Sequence, residues 1–256
     1  LLRTEDIAAL IHERGERLVL VLLGGVNYYT GQWLDIPAIT EAAHSVGALA
    51  GWDLAHAAGN VPLELHDWDA DFAVWCSYKY LNAGPGAVAG CFVHRRHADD
   101  PAVPRLAGWW GNDPATRFAM HSERRFVPRH GAAGWQLSNP PILSLAPLVA
   151  SLDIFDRAGM DRLRAKSVAL TGTLEALIEA IPDRPFRIIT PPDPAERGCQ
   201  LSLHAPGRGR AIFDAITARG VVADYREPDV VRVAPAPLYT SFHAASRLAR
   251  PLARAS

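Results

Sequence analysis

Short unbroken apolar runs alternate with amphipathic stretches along the first third of the chain. Residues 18–23, 48–52, 72–76 and 87–93 are the apolar runs. Residues 18–23 read as a buried parallel strand, and the other three runs read as further strands. Between them, residues 4–14 and 36–46 carry apolar positions at helical spacing. Thr4 stands as N-cap of the first helix, with Glu5 and Asp6 in its first turn, and Pro37 lies in the first turn of the second. Strand, helix, strand at this spacing predicts an α/β fold, a three-layer α/β/α arrangement on a mainly parallel sheet.

The pattern changes after residue 94. Residues 95–141 have no periodic segment and are rich in Gly, Pro and Trp. Irregular stretches of this length are functional or disordered, and Trp109, Trp110 and Trp135 argue for order. Residues 142–158 and 160–181 read as two helices, the second ended by Pro182. Strands then follow at 186–190, 199–204, 221–225 and 230–234, with helices at 208–220 and 240–253. This order predicts a smaller α+β domain, so the chain divides into residues 1–158, part of a large α/β domain, and residues 159–256.

Composition narrows the class. The 256 residues are 49% hydrophobic and 21% charged with net charge −1, which gives no basic surface for nucleic acid and no acidic tail. Cys76, Cys91 and Cys199 are too widely spaced for a disulfide framework or a zinc site and suit a reducing cytoplasm. No run is long and apolar enough to span a bilayer. The chain opens on Leu1 and reads as part of a longer protein.

The chemistry concentrates in GWDLAHAAGNVPLELHDWDADFAVWCSYKYLN, residues 51–82. Two strands here each deliver a polar residue at the C-terminal end, where open α/β sheets build their sites. Lys79 follows an apolar strand and precedes a glycine loop; it is either a surface lysine or a partly desolvated amine of the kind that forms an imine with pyridoxal phosphate. Asp53 is either an N-cap for the next turn or the carboxylate that holds the proton on the cofactor's pyridine nitrogen. His56, three residues on, orients that aspartate, stacks beside the ring or is structural. Tyr78 is a packed aromatic, a phosphate ligand or an acid. Arg232, in the apolar strand VVRVAP, is an edge-strand charge or a bidentate carboxylate clamp. His66, His94, His97, His121, His130 and His204 have no metal-like spacing and read as structural or surface residues.

With these residues in place, the chain resembles the kynureninase family, fold-type I pyridoxal-phosphate enzymes of tryptophan catabolism and NAD biosynthesis. The likeness rests on YYTGQWLDIPAIT, the 51–82 block, GWWG around Trp109, QLSNPPIL around Asn139 and RVAPAPLYTSFH from Arg232 onward. The resemblance implies a homodimer with shared active sites that hydrolyses the Cβ–Cγ bond of L-kynurenine, or its 3-hydroxy form, to L-alanine and anthranilate or 3-hydroxyanthranilate. It implies Lys79 as the imine-forming base, Asp53 and His56 at the cofactor, and Tyr78 as phosphate ligand and acid. It implies Trp109 and Asn139 reaching the cofactor and substrate across the dimer, and Arg232 receiving the substrate carboxylate. Ser138-Asn139 resembles the form that prefers 3-hydroxykynurenine. The family also carries an N-terminal part of the sheet, with a phosphate-binding loop, that has no counterpart here. Gly24 stands where relatives often carry a hydroxyl. Another fold-type I enzyme, such as a cysteine desulfurase-like lyase or an aminotransferase, and a folded but inactive module are the competing readings.

Overall fold

The computed structural model describes residues 1–119 and 121–255. In chain order the elements are α1 (Thr4–Arg14), β1 (Leu20–Gly24), α2 (Ile36–Ser45), β2 (Leu49–Asp53), β3 (Phe72–Cys76), β4 (Ala89–Val93), α3 (Arg95–Ala98), α4 (Ile142–Ala158) and α5 (Met160–Glu179). There follow β5 (Arg187–Ile188), β6 (Leu201–His204), α6 (Gly209–Thr217), β7 (Asp224–Arg226), β8 (Val230–Val233) and α7 (Phe242–Ala255). The strands form two four-stranded sheets, ordered β1-β2-β3-β4 and β5-β6-β8-β7. β1, β2 and β3 are parallel and β4 pairs antiparallel to β3, as the sequence pattern predicts for an α/β fold. The second sheet is antiparallel throughout.

Each sheet has its own core. Trp52 and Ala73 pack with Ile11 of α1, Ile36 and Ile39 of α2, and Leu54 on one face of the first sheet. Alternation puts Leu20, Leu22, Leu49 and Val74 on the other face, where each is 40–53% exposed. Among the described residues the helical layer therefore covers one face only. The second sheet is covered by Leu170, Leu174 and Ile178 of α5, Ile212 and Ile216 of α6, and Leu248 and Leu252 of α7.

Element boundaries differ from the sequence expectation for local reasons. Thr4 is the first helical residue, and Arg3 is the N-cap without a side-chain cap bond. Leu18 is held in a turn by its N–H to Gly15, so the strand starts at Leu20. Gly24 stays in the ladder opposite Asp53, and the chain leaves the sheet at Gly25, where a Cβ would lie 2.6 Å from Leu54. Val221 donates to Ile216 and closes the end of α6 around Gly220 in left-handed backbone, which moves the next strand to Asp224. The 186–190 strand shrinks to two residues. The irregular 95–141 segment is ordered by guanidinium groups on indoles: Arg117 lies 4.1 Å from the Trp110 ring and Arg105 lies 4.7 Å from Trp135.

At the N-terminal ends of β2 and β3, buried Asp71 ties four elements together. Its Oδ2 accepts from the Ala50 N–H at 2.6 Å and from His44 Nε2 at 2.8 Å. Its Oδ1 accepts from Arg96 Nη2 at 2.6 Å and His97 Nε2 at 2.5 Å. Burial pushes this carboxyl up, but the bonds from Ala50, His44, His97 and Arg96 outweigh it and hold Asp71 well below the usual carboxylate range. Its stabilisation is present above the ordinary carboxylate value and is lost as pH falls below it. Asp71→Asn is expected to lower stability by about 3 kcal/mol, seen as a lower urea midpoint at neutral pH, and to flatten the acid limb of the stability curve below about pH 4.

Candidate active site

The parallel strands bring three loops to one edge. The loop after β1 carries Tyr28, the turn after β2 carries Asp53 and His56, and the bend after β3 carries Tyr78, Lys79 and Tyr80. Asn27 shapes the first loop: its Oδ1 accepts the N–H groups of Tyr29 and Thr30, each at 2.9 Å. Asp53 shapes the second: its Oδ1 accepts the Ala55 N–H at 2.8 Å. That bond matches the capping reading of Asp53, while Oδ2 receives no hydrogen bond among the described residues. Gly59 lets the third loop approach. Its φ is +80°, and a Cβ there would lie 2.7 Å from the Tyr80 carbonyl oxygen.

These loops converge on His56. Its ring lies 5.8 Å from Tyr80 and 6.3 Å from Tyr28. Its Nδ1 is buried and has no hydrogen-bond partner among the described residues. Burial, then the Lys79 and Arg232 cations, depress the imidazole to about 4, opposed by the Asp53 carboxylate. At neutral pH His56 is therefore an uncharged base between cations. Lys79 is half-buried, and its Nζ stands 5.2 Å from the centre of the Tyr78 ring.

Arg232 reaches this group from the second sheet. It is 9% exposed, donates through Nη1 to the Tyr28 carbonyl at 2.5 Å and through Nε to Asp224 Oδ2 at 2.7 Å, and also pairs with Asp224 through Nη2. Gln200 Nε2 donates to the same Tyr28 carbonyl, Ser202 Oγ to that of Tyr29, and Thr190 Oγ1 to that of Thr30. The structure thus brings together Lys79, Asp53, His56 and Arg232.

The other expected site residues stand apart. Tyr78 is half-exposed beside Lys79. Trp109 is 47% exposed and meets Phe118 edge-on, and exposed Asn139 meets Ser138 Oγ at 3.3 Å. Neither touches the His56 cluster among the described residues, although their segments are neighbours through the Trp110 N–H to Leu137 carbonyl bond. Sequence reasoning missed Tyr28, Tyr80, Asp224 and Arg226. Tyr28 and Tyr80 lay in loops already singled out; Asp224 carried no signal until its strand register was known.

A family model described as aminotransferase class-V matches residues 2–205, and one described as kynureninase C-terminal domain matches residues 163–252. A kynureninase of Stenotrophomonas maltophilia is 60% identical over 235 residues, covering 91% of this chain and 55% of that protein. One of Flavobacterium johnsoniae is 55% identical over 244 residues, covering 94% of this chain and 57% of that protein. The chain thus spans a little over half the length of these curated relatives. Among solved structures, the cysteine desulfurase CsdA of Escherichia coli aligns at TM-score 0.78 and 18% identity over 98% of this chain and 62% of that one. A C-DES mutant with glycine covalently linked to its PLP cofactor aligns at TM-score 0.80 and 19% identity over 96% and 63%. At such identities these two show the shared fold.

The charge balance at His56 is testable. Its folded value lies below the ordinary 6.5, so the stability tied to the neutral ring is fully present above 6.5 and is lost as pH falls toward about 4. Imidazole NMR is expected to place His56 near 4, and Lys79→Met to move it up toward 6.5. An unshifted His56 in both proteins would remove the electrostatic account of the site.

Proposed function

Because the chain belongs to the aminotransferase class-V family, we propose that it forms the lysine- and carboxylate-binding part of a pyridoxal-phosphate enzyme that hydrolyses the Cβ–Cγ bond of L-kynurenine or 3-hydroxy-L-kynurenine. The products are L-alanine and anthranilate or 3-hydroxyanthranilate. The observation that carries this reading is the convergence on one neutral histidine of a lysine, a carboxylate and a buried arginine from two sheets. The kynureninase relatives, 55–60% identical over nearly the whole chain, support the substrate class.

The residues fit the cofactor. A buried, unpartnered His56 Nδ1 sits beside a carboxylate with one uncommitted oxygen and a half-buried lysine. Pyridoxal phosphate, when bound, supplies an aldehyde that captures the substrate amine and a ring that withdraws electrons from Cα. Asp53 would hold the proton on the pyridine nitrogen. His56 stays uncharged and adds no competing cation there. Lys79 Nζ would carry the cofactor and would serve as the base for the Cα proton. Arg232 receives the α-carboxylate. Tyr78, half-exposed beside Lys79, delivers a proton to the β-carbon.

The exposure of Trp109 and Asn139, apart from the His56 cluster, supports their use in the site of a second copy in a homodimer. Three free thiols suit a reducing cytoplasm. No helix among the described residues is long and apolar enough to cross a membrane.

The chain has two lysines, Lys79 and Lys166, which makes the test clean. After incubation with pyridoxal phosphate and borohydride reduction, the label is expected on the Lys79 peptide, with alanine and anthranilate formed from kynurenine by the full-length protein. Lys79→Met is expected to remove the label and cut turnover by about 10²- to 10⁴-fold. Label on Lys166, or none, together with no turnover would overturn the reading.

A further inference from the structure

Asp224 has no role in the chemistry above, yet it controls how Arg232 can present itself. A guanidinium carries five N–H donors arranged in two forks, one formed by Nε and Nη2 and one by Nη1 and Nη2. Both groups of the first fork, Nε and Nη2, donate to Asp224 Oδ2 across the β7–β8 pairing, where Asp224 and Arg232 stand directly opposite. One Nη1 hydrogen goes to the Tyr28 carbonyl. That leaves one hydrogen on Nη1 and one on Nη2. If the Tyr28 carbonyl takes the hydrogen turned away from Nη2, these two are the parallel pair that matches both oxygens of a carboxylate. The same Asp224 oxygen meets Arg226 Nε at 3.0 Å, so a single carboxylate stands between two guanidinium groups and leaves the trio with one net positive charge.

A single bond to the Tyr28 carbonyl would leave the guanidinium plane free to rotate; the two bonds to Asp224 fix it. Resting on the reading of Arg232 as the receptor for the substrate α-carboxylate, we propose that Asp224 is a positioning residue for substrate recognition. It holds the Nε edge of Arg232, so that the Nη1–Nη2 edge meets the amino-acid carboxylate.

The test uses the full-length holoenzyme with Asp224→Asn and Asp224→Glu. Kinetics are measured with kynurenine, and calorimetry compares binding of L-alanine with that of L-alaninamide, which lacks the carboxylate charge. Asp224→Asn is expected to raise KM by about tenfold or more, a loss of about 1.4 kcal/mol in binding, with a much smaller fall in kcat. It is also expected to shrink the preference for alanine over alaninamide, and Asp224→Glu is expected to regain part of both. An unchanged preference and KM in Asp224→Asn would overturn the proposal. So would a lowered KM, which would make Asp224 a competitor for Arg232. If Asp224→Asn does not fold by circular dichroism, Asp224→Ser, which also lacks the carboxylate, decides in its place; an unaltered preference there overturns the proposal. Wild-type protein that binds alanine and alaninamide equally would instead remove the reading of Arg232 itself.

Discussion

Three consecutive backbone carbonyls, those of Tyr28, Tyr29 and Thr30, join the two sheets of this molecule. Each would be costly to bury without a donor, and the second sheet supplies the donors from Arg232, Gln200, Ser202 and Thr190. Asn60 adds a fifth link by accepting the Cys199 N–H. The loop that bears these carbonyls is fixed by Asn27 and by Gly31, whose backbone is left-handed and whose Cβ would lie 3.1 Å from the Gln200 carbonyl. One of the bonds that hold the sheets together, from Arg232 to the Tyr28 carbonyl, thus also brings Arg232 to the strand ends.

The two ends of the first sheet treat charge in opposite ways. At the N-terminal ends of β2 and β3, Asp71 is buried and surrounded by donors, so its charge is neutralised in place and serves the packing of α2, β2 and α3. At the C-terminal ends, Lys79, Arg226 and Arg232 gather around a histidine that burial, and then their field, keeps neutral. Asp224 already answers the two arginines, and Asp53 lies exposed at the end of its strand. An edge arranged in this way favours an anionic ligand, because the cations are held by the fold before any ligand arrives.

The uncovered sheet face bears on the same edge. Asp53 shares its face with Val74 and Gly24 by register, and Leu20, Leu22 and Leu49 continue that face away from the site. An apolar surface of this kind exposes groups that water solvates poorly.

The sequence by itself determined the α/β class, the β3 strand and the polar residues that end the parallel strands. Those features depend on local pattern: a five-residue apolar run such as FAVWC, rich in aromatic and β-branched residues and bounded by polar ones, has the length of a strand, and the residues after it then emerge at the strand end. The motifs around Lys79 and Asp53 were legible for the same reason. The tertiary structure alone decided that Arg232, more than 150 residues from either, lies beside His56, because that meeting depends on side chains of one sheet capping the carbonyls of a loop in the other. It alone paired Asp224 with Arg232, since that register is set by the turn at residues 227–229 that joins β7 to β8. It also set His56 to neutral, because that state arises from burial among cations contributed by three separate elements, which no spacing along the chain encodes.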